Sequence, residues 1–232
     1  MNELLLLLSV VIIYGGVLLA YRLFGKSGLF AFTVIATVLA NIEVLLLIRA
    51  FGMEQTLGNV LFASTYLITD ILSENYGKKA ANKAVYIGIF AAVAMLGLSQ
   101  FWFLYTPSEN DFARESLSVI FSTTPRLVAA SILGYAVSQR LDVFLYHKWW
   151  DLTSEKSGDR HRFLWFRNNF STLISQIVNT VIFNFTAFFG VYDNKTLISI
   201  VISSYVIYIF TSLLDTPFVY IARMMKEKNI VK

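Results

Sequence analysis

Apolar runs of about 20 residues, the length at which an α-helix crosses a hydrocarbon core, recur along this chain between short clusters of charge. A backbone inside lipid must satisfy its own N–H and C=O groups, so each run is predicted to be a helix. About seven spans are expected: Leu4 to Phe24, Leu29 to Phe51, Asn59 to Tyr76, Ala84 to Tyr105, Pro125 to Tyr146, Asn169 to Gly190, and Thr196 to Arg223. Composition agrees. Of 232 residues, 56% are hydrophobic and only 15% charged, where a soluble domain carries about 25%. The expected fold class is all-α, a polytopic membrane bundle of six to seven transmembrane helices forming one domain over residues 1–232. Met1-Asn2-Glu3 has no basic n-region, so the first run reads as a span and not as a signal peptide. The absence of cysteine excludes disulfides and thiolate chemistry, and two histidines are too few for a histidine metal centre. No cofactor and no metal is expected.

The charges carry topology. Arg22, Lys26, Lys78, Lys79, Lys83, Arg140, Lys148, Lys156, Arg160, Arg162, Arg167, Arg223, Lys226, Lys228 and Lys232 fall in alternate loops and make up 15 of the 19 basic residues. The other loops hold Glu3, Glu54, Glu109, Asp111, Glu115 and Asp193. The positive-inside rule then places the N-terminus outside and the C-terminus in the cytoplasm of a cell-membrane protein. The net charge of +4 therefore reads as topology, with no single basic patch to recruit nucleic acid. The longest loop, about 147 to 168, reads as an interfacial connector with Trp149, Trp150 and Trp165 in an aromatic belt. Ser122-Thr123-Thr124-Pro125 supplies a helix cap followed by proline at the first helical position.

Polar residues inside a membrane are costly and face a bundle interior or a wet cavity. Five spans carry such residues at helical spacing: Thr33, Thr37 and Asn41; Tyr66, Asp70, Ser73 and Glu74; Ser131, Tyr135, Ser138, Gln139 and Asp142; Thr172, Gln176, Asn179, Thr180 and Asn184; Ser204, Tyr208, Thr211 and Asp215. The economical packing turns all five stripes towards one central cavity. Bland alternatives stand beside this reading. Serine and threonine can bond their own i−4 carbonyls, Glu74 can pair with Lys78 one turn on, and Asp142 can be interfacial beside Arg140. Asp70, about 10 Å inside the basic end at 1.5 Å per residue, is the strongest candidate. Asp215 precedes Pro217, which is expected to break the last span near the carboxylate. Arg126 points away from Tyr135 and fits a gate, an ion pair or a headgroup contact.

Three polar blocks then carry a resemblance: Leu57 to Lys79 (LGNVLFASTYLITDILSENYGKK), Pro125 to Ser131 with Ser138 to Val143 (PRLVAAS and SQRLDV), and Arg167 to Thr172 with Ser175 to Thr180 (RNNFST and SQIVNT). In this order they resemble the queuosine precursor transporter family, also called the vitamin uptake transporter family, from about Ala40 to Asp215. The resemblance implies a membrane carrier for 7-deazaguanines such as 7-cyano-7-deazaguanine or its aminomethyl relative. It carries site roles onto Asn41, Asp70, Glu74, Arg126, Gln139, Asp142, Gln176, Asn179 and Asp215, although the family often has Asp where this chain has Asn179. A guanine-like edge offers a donor pair that Asp70 or Asp215 could accept and acceptors that Asn41, Gln176 or Asn179 could serve. Tyr66, Tyr135, Phe183 and Tyr208 are candidates to stack on the flat bicycle. The expected partners are a small deazapurine and the lipid bilayer, with a homodimer as the candidate assembly.

Two further readings remain at this stage. One is a substrate-binding membrane subunit that requires a separate ATPase, since the chain has no P-loop. The other, an intramembrane enzyme, finds neither HExxH nor GxSxG. The expectation is a transporter and not an enzyme.

Overall fold

The computed structural model describes residues 1–121, 125–157, 162–190 and 193–231. Its elements are α1 (Asn2–Glu43), β1 (Leu47–Ala50), β2 (Met53–Thr56), α2 (Gly58–Tyr76), α3 (Lys78–Trp102), α4 (Arg114–Phe121), α5 (Pro125–Ser157), α6 (Leu164–Phe188) and α7 (Asn194–Glu227). The expected cap at Ser122, Thr123 and Thr124 lies outside the described residues, as do Asp159, Arg160 and His161.

The first two expected spans are the arms of α1, which breaks at Gly25 (φ 58°, ψ −140°), a backbone conformation open to glycine and costly for other residues. The arms fold back antiparallel, with Gly16 against Phe32 and Gly28 against the Ala20 carbonyl. The second arm ends at Glu43, earlier than the expected Phe51, because residues 47–56 leave the helix for a hairpin. Phe51 and Gly52 both take positive φ (53° and 75°), the two-residue turn whose twist suits antiparallel strands. Ala50 faces Met53 and Leu47 faces Thr56. Gly77 (φ 79°) separates α2 from α3.

Helix α2 is central, packed against α1, α3, α5 and α7. From Gly58 to Ser73 every residue is buried except Phe62. Helix α5 continues past the expected end at Tyr146 to Ser157, so much of the expected connector is helical. Its Trp150 lies under the Arg167 guanidinium, 4.5 Å from the ring centre, and serves the interior where a lipid-facing belt was expected. Helix α7 runs through Pro217 without the expected break; the proline lies on the outer face of the bundle.

The interior holds polar and charged side chains beside its apolar core, and large apolar side chains cover the outside. Asp70, Asp142, Asp215, Arg167, Asn168, Gln139 and Gln176 are buried, while Leu8, Ile12, Phe90, Ile177, Val181, Ile202 and Phe210 are exposed. An exterior this apolar, with carboxyls and amides turned inward, suits a chain whose solvent is lipid. Among the described residues, α1, α3, α6 and α7 are long and apolar enough to cross a membrane. In α2 and α5 the polar residues of the interior dilute the hydropathy.

The closed α1 hairpin yields a direct test. A Cβ on Gly28 would sit 2.1 Å from the Ala20 carbonyl oxygen, a backbone atom that cannot swing aside. Gly28→Ala is expected to open the hairpin and lower the melting temperature of the detergent-solubilised protein; an unchanged melting curve would show that the arms do not pack this closely.

Candidate functional site

Four helices present their polar residues in the same order, and the order forms layers. At the hairpin end, a cavity of about 330 Å³ is lined by Asn41 from α1, Asn59 and Phe62 from α2, Ser131 from α5, Asn179, Thr180, Phe183 and Asn184 from α6, and Ser204 and Tyr208 from α7. No lining residue is charged. Asn41 donates to the Thr37 carbonyl and accepts from the Ser131 hydroxyl at 2.9 Å. Tyr208 donates to Asn59 Oδ1 at 3.1 Å, and Asn59 Nδ2 is a buried donor with no partner. Phe62 is half-buried between Gly58 and Ser73, where its neighbours on α2 are buried, because it faces this cavity. Its ring meets those of Tyr66, Tyr135 and Tyr208 with centres 5.7, 6.0 and 6.2 Å away, close enough for edge-to-face attraction. The four rings make an aromatic floor.

Beneath the floor lies a layer of hydroxyls and amides. Gln139 Nε2 donates to Thr65 Oγ1 at 2.7 Å and its Oε1 accepts from Thr69, while Tyr66 donates to Ser138 at 2.7 Å. Deeper still are three carboxyls from three helices. Asp70 on α2 accepts from Thr172 at 3.2 Å, Asp142 on α5 from Ser175 at 2.9 Å, and Asp215 on α7 from Asn168 Nδ2 at 2.6 Å. Asp70 and Asp142 are held by Thr172 and Ser175, one turn apart on α6. Phe62 and Asp70 are eight positions apart on α2, about 12 Å along the axis.

The last layer closes the basic end. Arg167 grips Glu74 with Nε and Nη2, the shortest contact being 2.7 Å. Tyr146 donates to the same carboxylate at 2.8 Å, and Arg223 approaches it at 3.6 Å. The Arg167 side chain is 0% exposed and that of Glu74 2%, so this is a desolvated pair. Beyond it, burial and the nearby Lys78 hold the His147 imidazole below its ordinary range.

The expected site residues thus separate. Asn41, Asn179 and Tyr208 line the cavity. Tyr66, Tyr135, Gln139, Asp70, Asp142, Gln176 and Asp215 are buried and are not among its lining residues. Glu74 pairs with Arg167 and not with Lys78. Among the described residues Arg126 has no acidic partner. Its guanidinium donates to the carbonyls of Thr186 and Phe189, both at 2.6 Å, and so caps the exposed C-terminal carbonyls of α6.

Phe62, Asn59, Arg167 and Asn168 were missed. Phe62 looks like any apolar helix residue, Asn59 like a span boundary, and Arg167 like a loop charge. For Arg167 a signal existed: Glu74, on a span, had no arginine partner one turn away.

A helical bundle with an apolar exterior, inward-turned polar groups and an uncharged cavity defines a polytopic membrane protein with room for a small molecule. The sequence profile of the family described as "Putative vitamin uptake transporter" matches residues 56–222. A protein of Bacillus subtilis (strain 168) named "Probable queuosine precursor transporter" is 37% identical over 209 residues, covering 90% of this chain and 89% of that one. The chain belongs to this transporter family. No solved structure matches it.

Breaking the closing pair gives the second test. Removing one partner of a buried pair leaves an uncompensated charge and costs about 3–5 kcal/mol. Arg167→Met is expected to lower the melting temperature sharply, and adding Glu74→Met should recover much of the loss, because a well-packed apolar pair avoids the desolvation penalty. No recovery in the double variant would mean that the pair is replaceable by nothing apolar.

Proposed function

We propose that the protein imports 7-deazaguanine precursors of queuosine, binding them in the cavity at the hairpin end. The observation that carries this reading is the cavity's chemistry: amides from three helices, α1, α2 and α6, over an aromatic floor, with no formal charge. Its volume of about 330 Å³ falls within the range of small-molecule sites. A flat bicycle with a guanine-like edge needs both donors and acceptors in one plane. Asn59 Nδ2 is an unused donor, and Asn179 and Asn184 bring two further amides from α6. Phe62, Phe183 and Tyr208 offer ring faces or edges, each worth about 1–3 kcal/mol by analogy with nucleobase stacking. The B. subtilis relative's name supplies the cargo, and the family membership supplies the activity.

Orientation follows from the charges. The closed layer of Glu74 and Arg167 is at the end rich in lysine and arginine, which the positive-inside rule assigns to the cytoplasm. The cavity then opens to the exterior, the side from which an importer collects its cargo.

Lining without charge also sets a preference among cargoes. A neutral nitrile gives up little hydration on entry, whereas an aminomethyl cation would enter a site with no carboxylate to receive it. In thermal-shift titrations 7-cyano-7-deazaguanine is expected to stabilise the protein at lower concentration than the aminomethyl compound, since a ligand of the native state stabilises by mass action. Asn179→Leu, which removes an amide and intrudes on the cavity, is expected to weaken that binding by about tenfold or more, the cost of leaving a ligand polar group unpaired. Uptake of labelled 7-cyano-7-deazaguanine into proteoliposomes tests transport itself. Absence of both stabilisation and uptake would overturn the reading.

A further inference from the structure

We propose that Asp70, Asp142 and Asp215 form a proton-binding site that couples transport to the proton gradient. The proposal rests on the transport reading above but concerns a different place in the bundle. The three carboxyls are 0%, 0% and 1% exposed and come from α2, α5 and α7, so that any change in their charge acts on three helices at once. Among the described residues none of them forms an ion pair.

The groups around them do not supply the missing positive charge. From α1, Tyr14 faces Asp215 and Asp70, with its hydroxyl donated to the Thr211 carbonyl. From α2 and α5, Tyr66 donates to Ser138 and Tyr146 to Glu74. From α6, Arg167 is committed to Glu74 by its Nε and Nη2. From α7, Tyr208 donates to Asn59, and Arg223 lies against Glu74 and Glu227. Helix α3 turns Lys78 and Lys83 to the rings of Phe144 and Phe30.

What the cluster lacks is donors. Asp70 Oδ1 and Asp142 Oδ2 have no hydrogen-bond partner, and isolated ionised carboxylates are not tolerated in a dry interior. A second observation is independent of the carboxylates. The Asn168 amide, fully buried, donates its N–H to Asp215 and is left with an Oδ1 that nothing donates to. Gln176 Oε1, one turn from Thr172 on α6, is in the same position. A carboxylic-acid proton on Asp215 is a donor of the kind that the neighbouring Asn168 Oδ1 lacks. Asp70 and Asp142 are bound by hydroxyls one turn apart on α6, a placement in which two like charges oppose each other and a proton on one relieves both. A metal cation fits less well: among the described residues no group of three His, Cys, Asp or Glu side chains is close enough to hold one.

The hydroxyl layer of Thr65, Tyr66, Thr69, Ser138 and Gln139 separates this site from the cavity, so proton and cargo occupy different levels of one pathway. Protonated, the cluster is neutral and compact. Deprotonated on the cytoplasmic side, two or three like charges repel across α2, α5 and α7.

The test uses the purified full chain in proteoliposomes containing a pH-sensitive dye, with labelled 7-cyano-7-deazaguanine outside. Cargo addition is expected to acidify the lumen in step with uptake. An outside-acid gradient of one pH unit is expected to drive about tenfold accumulation for one proton per cargo, abolished by a protonophore. Asp142→Asn and, separately, Asp70→Asn are expected to lose the response to the gradient. Accumulation without acidification, or accumulation that follows a sodium gradient, overturns the proposal while leaving the transport reading intact. If the wild-type chain moves no deazapurine, the transport reading fails, and infrared spectroscopy of the same liposomes decides the site. A carboxylic-acid C=O band at neutral pH that disappears in Asp142→Asn sustains it, and absence of that band in the wild type overturns it.

Discussion

The buried pair of Glu74 with Arg167 organises the rest of the structure. Arg167 makes its shortest contact with Glu74 at 2.7 Å, and Tyr146 and Arg223 attach α5 and α7 to the same carboxylate. One side chain therefore fixes the basic ends of four helices. The pair also consumes the buried cation: with Arg167 turned to Glu74, the three aspartates one or two turns deeper have only hydroxyl and amide donors. A closed end and a cluster of uncompensated carboxyls are two consequences of the same contact.

Lipid explains why the polar groups are layered and not scattered. A charged side chain at the bilayer centre costs about 2.5–3.5 kcal/mol on insertion scales, so each must be turned inward, and on a helix inward positions recur every three or four residues. Asn59, Tyr66, Asp70 and Glu74 follow that rhythm on α2, and Ser131, Tyr135, Ser138, Asp142 and Tyr146 follow it on α5. Once the helices pack in parallel or antiparallel register, equal spacing places like with like: amides near one end, hydroxyls next, carboxyls deeper, and the ion pair at the far end.

This periodicity made much of the site legible in the sequence. The stripes through Asn41, Asp70, Asp142, Asn179 and Tyr208 do face the interior, because a polar residue in an apolar helix has nowhere else to go. What periodicity does not carry is depth: Asp70 lies about 12 Å along α2 from Phe62, which lines the cavity. Nor does it recognise aromatic residues used as a floor, since Phe62 has the same hydropathy whether it meets lipid, core or cargo. Arg167 was misplaced because a charge near the end of an apolar run looks like a topological marker. The hairpin at Leu47 was hidden by apolar residues that continue the preceding run, although the turn at Phe51-Gly52 supplies its own break.

A closed basic end raises the question of how it opens. The strength of the Glu74 and Arg167 contact depends on the dryness that the contact itself maintains. Desolvated, its loss on one side is worth several kcal/mol; exposed to water, an ion pair contributes about 0–1 kcal/mol. Water entering from the basic end would therefore weaken the pair that excludes it, and withdrawal of water would restore it. Such a contact favours two states, dry and joined or wet and parted, over any intermediate. Gly77, with φ of 79° between α2 and α3, and the break at Gly25 lie at the same end and supply backbone positions at which those helices can pivot. The closing layer thus has the physical form of a gate whose two states are each self-consistent, and the charge of the carboxyl cluster one or two turns away is positioned to bias the choice between them.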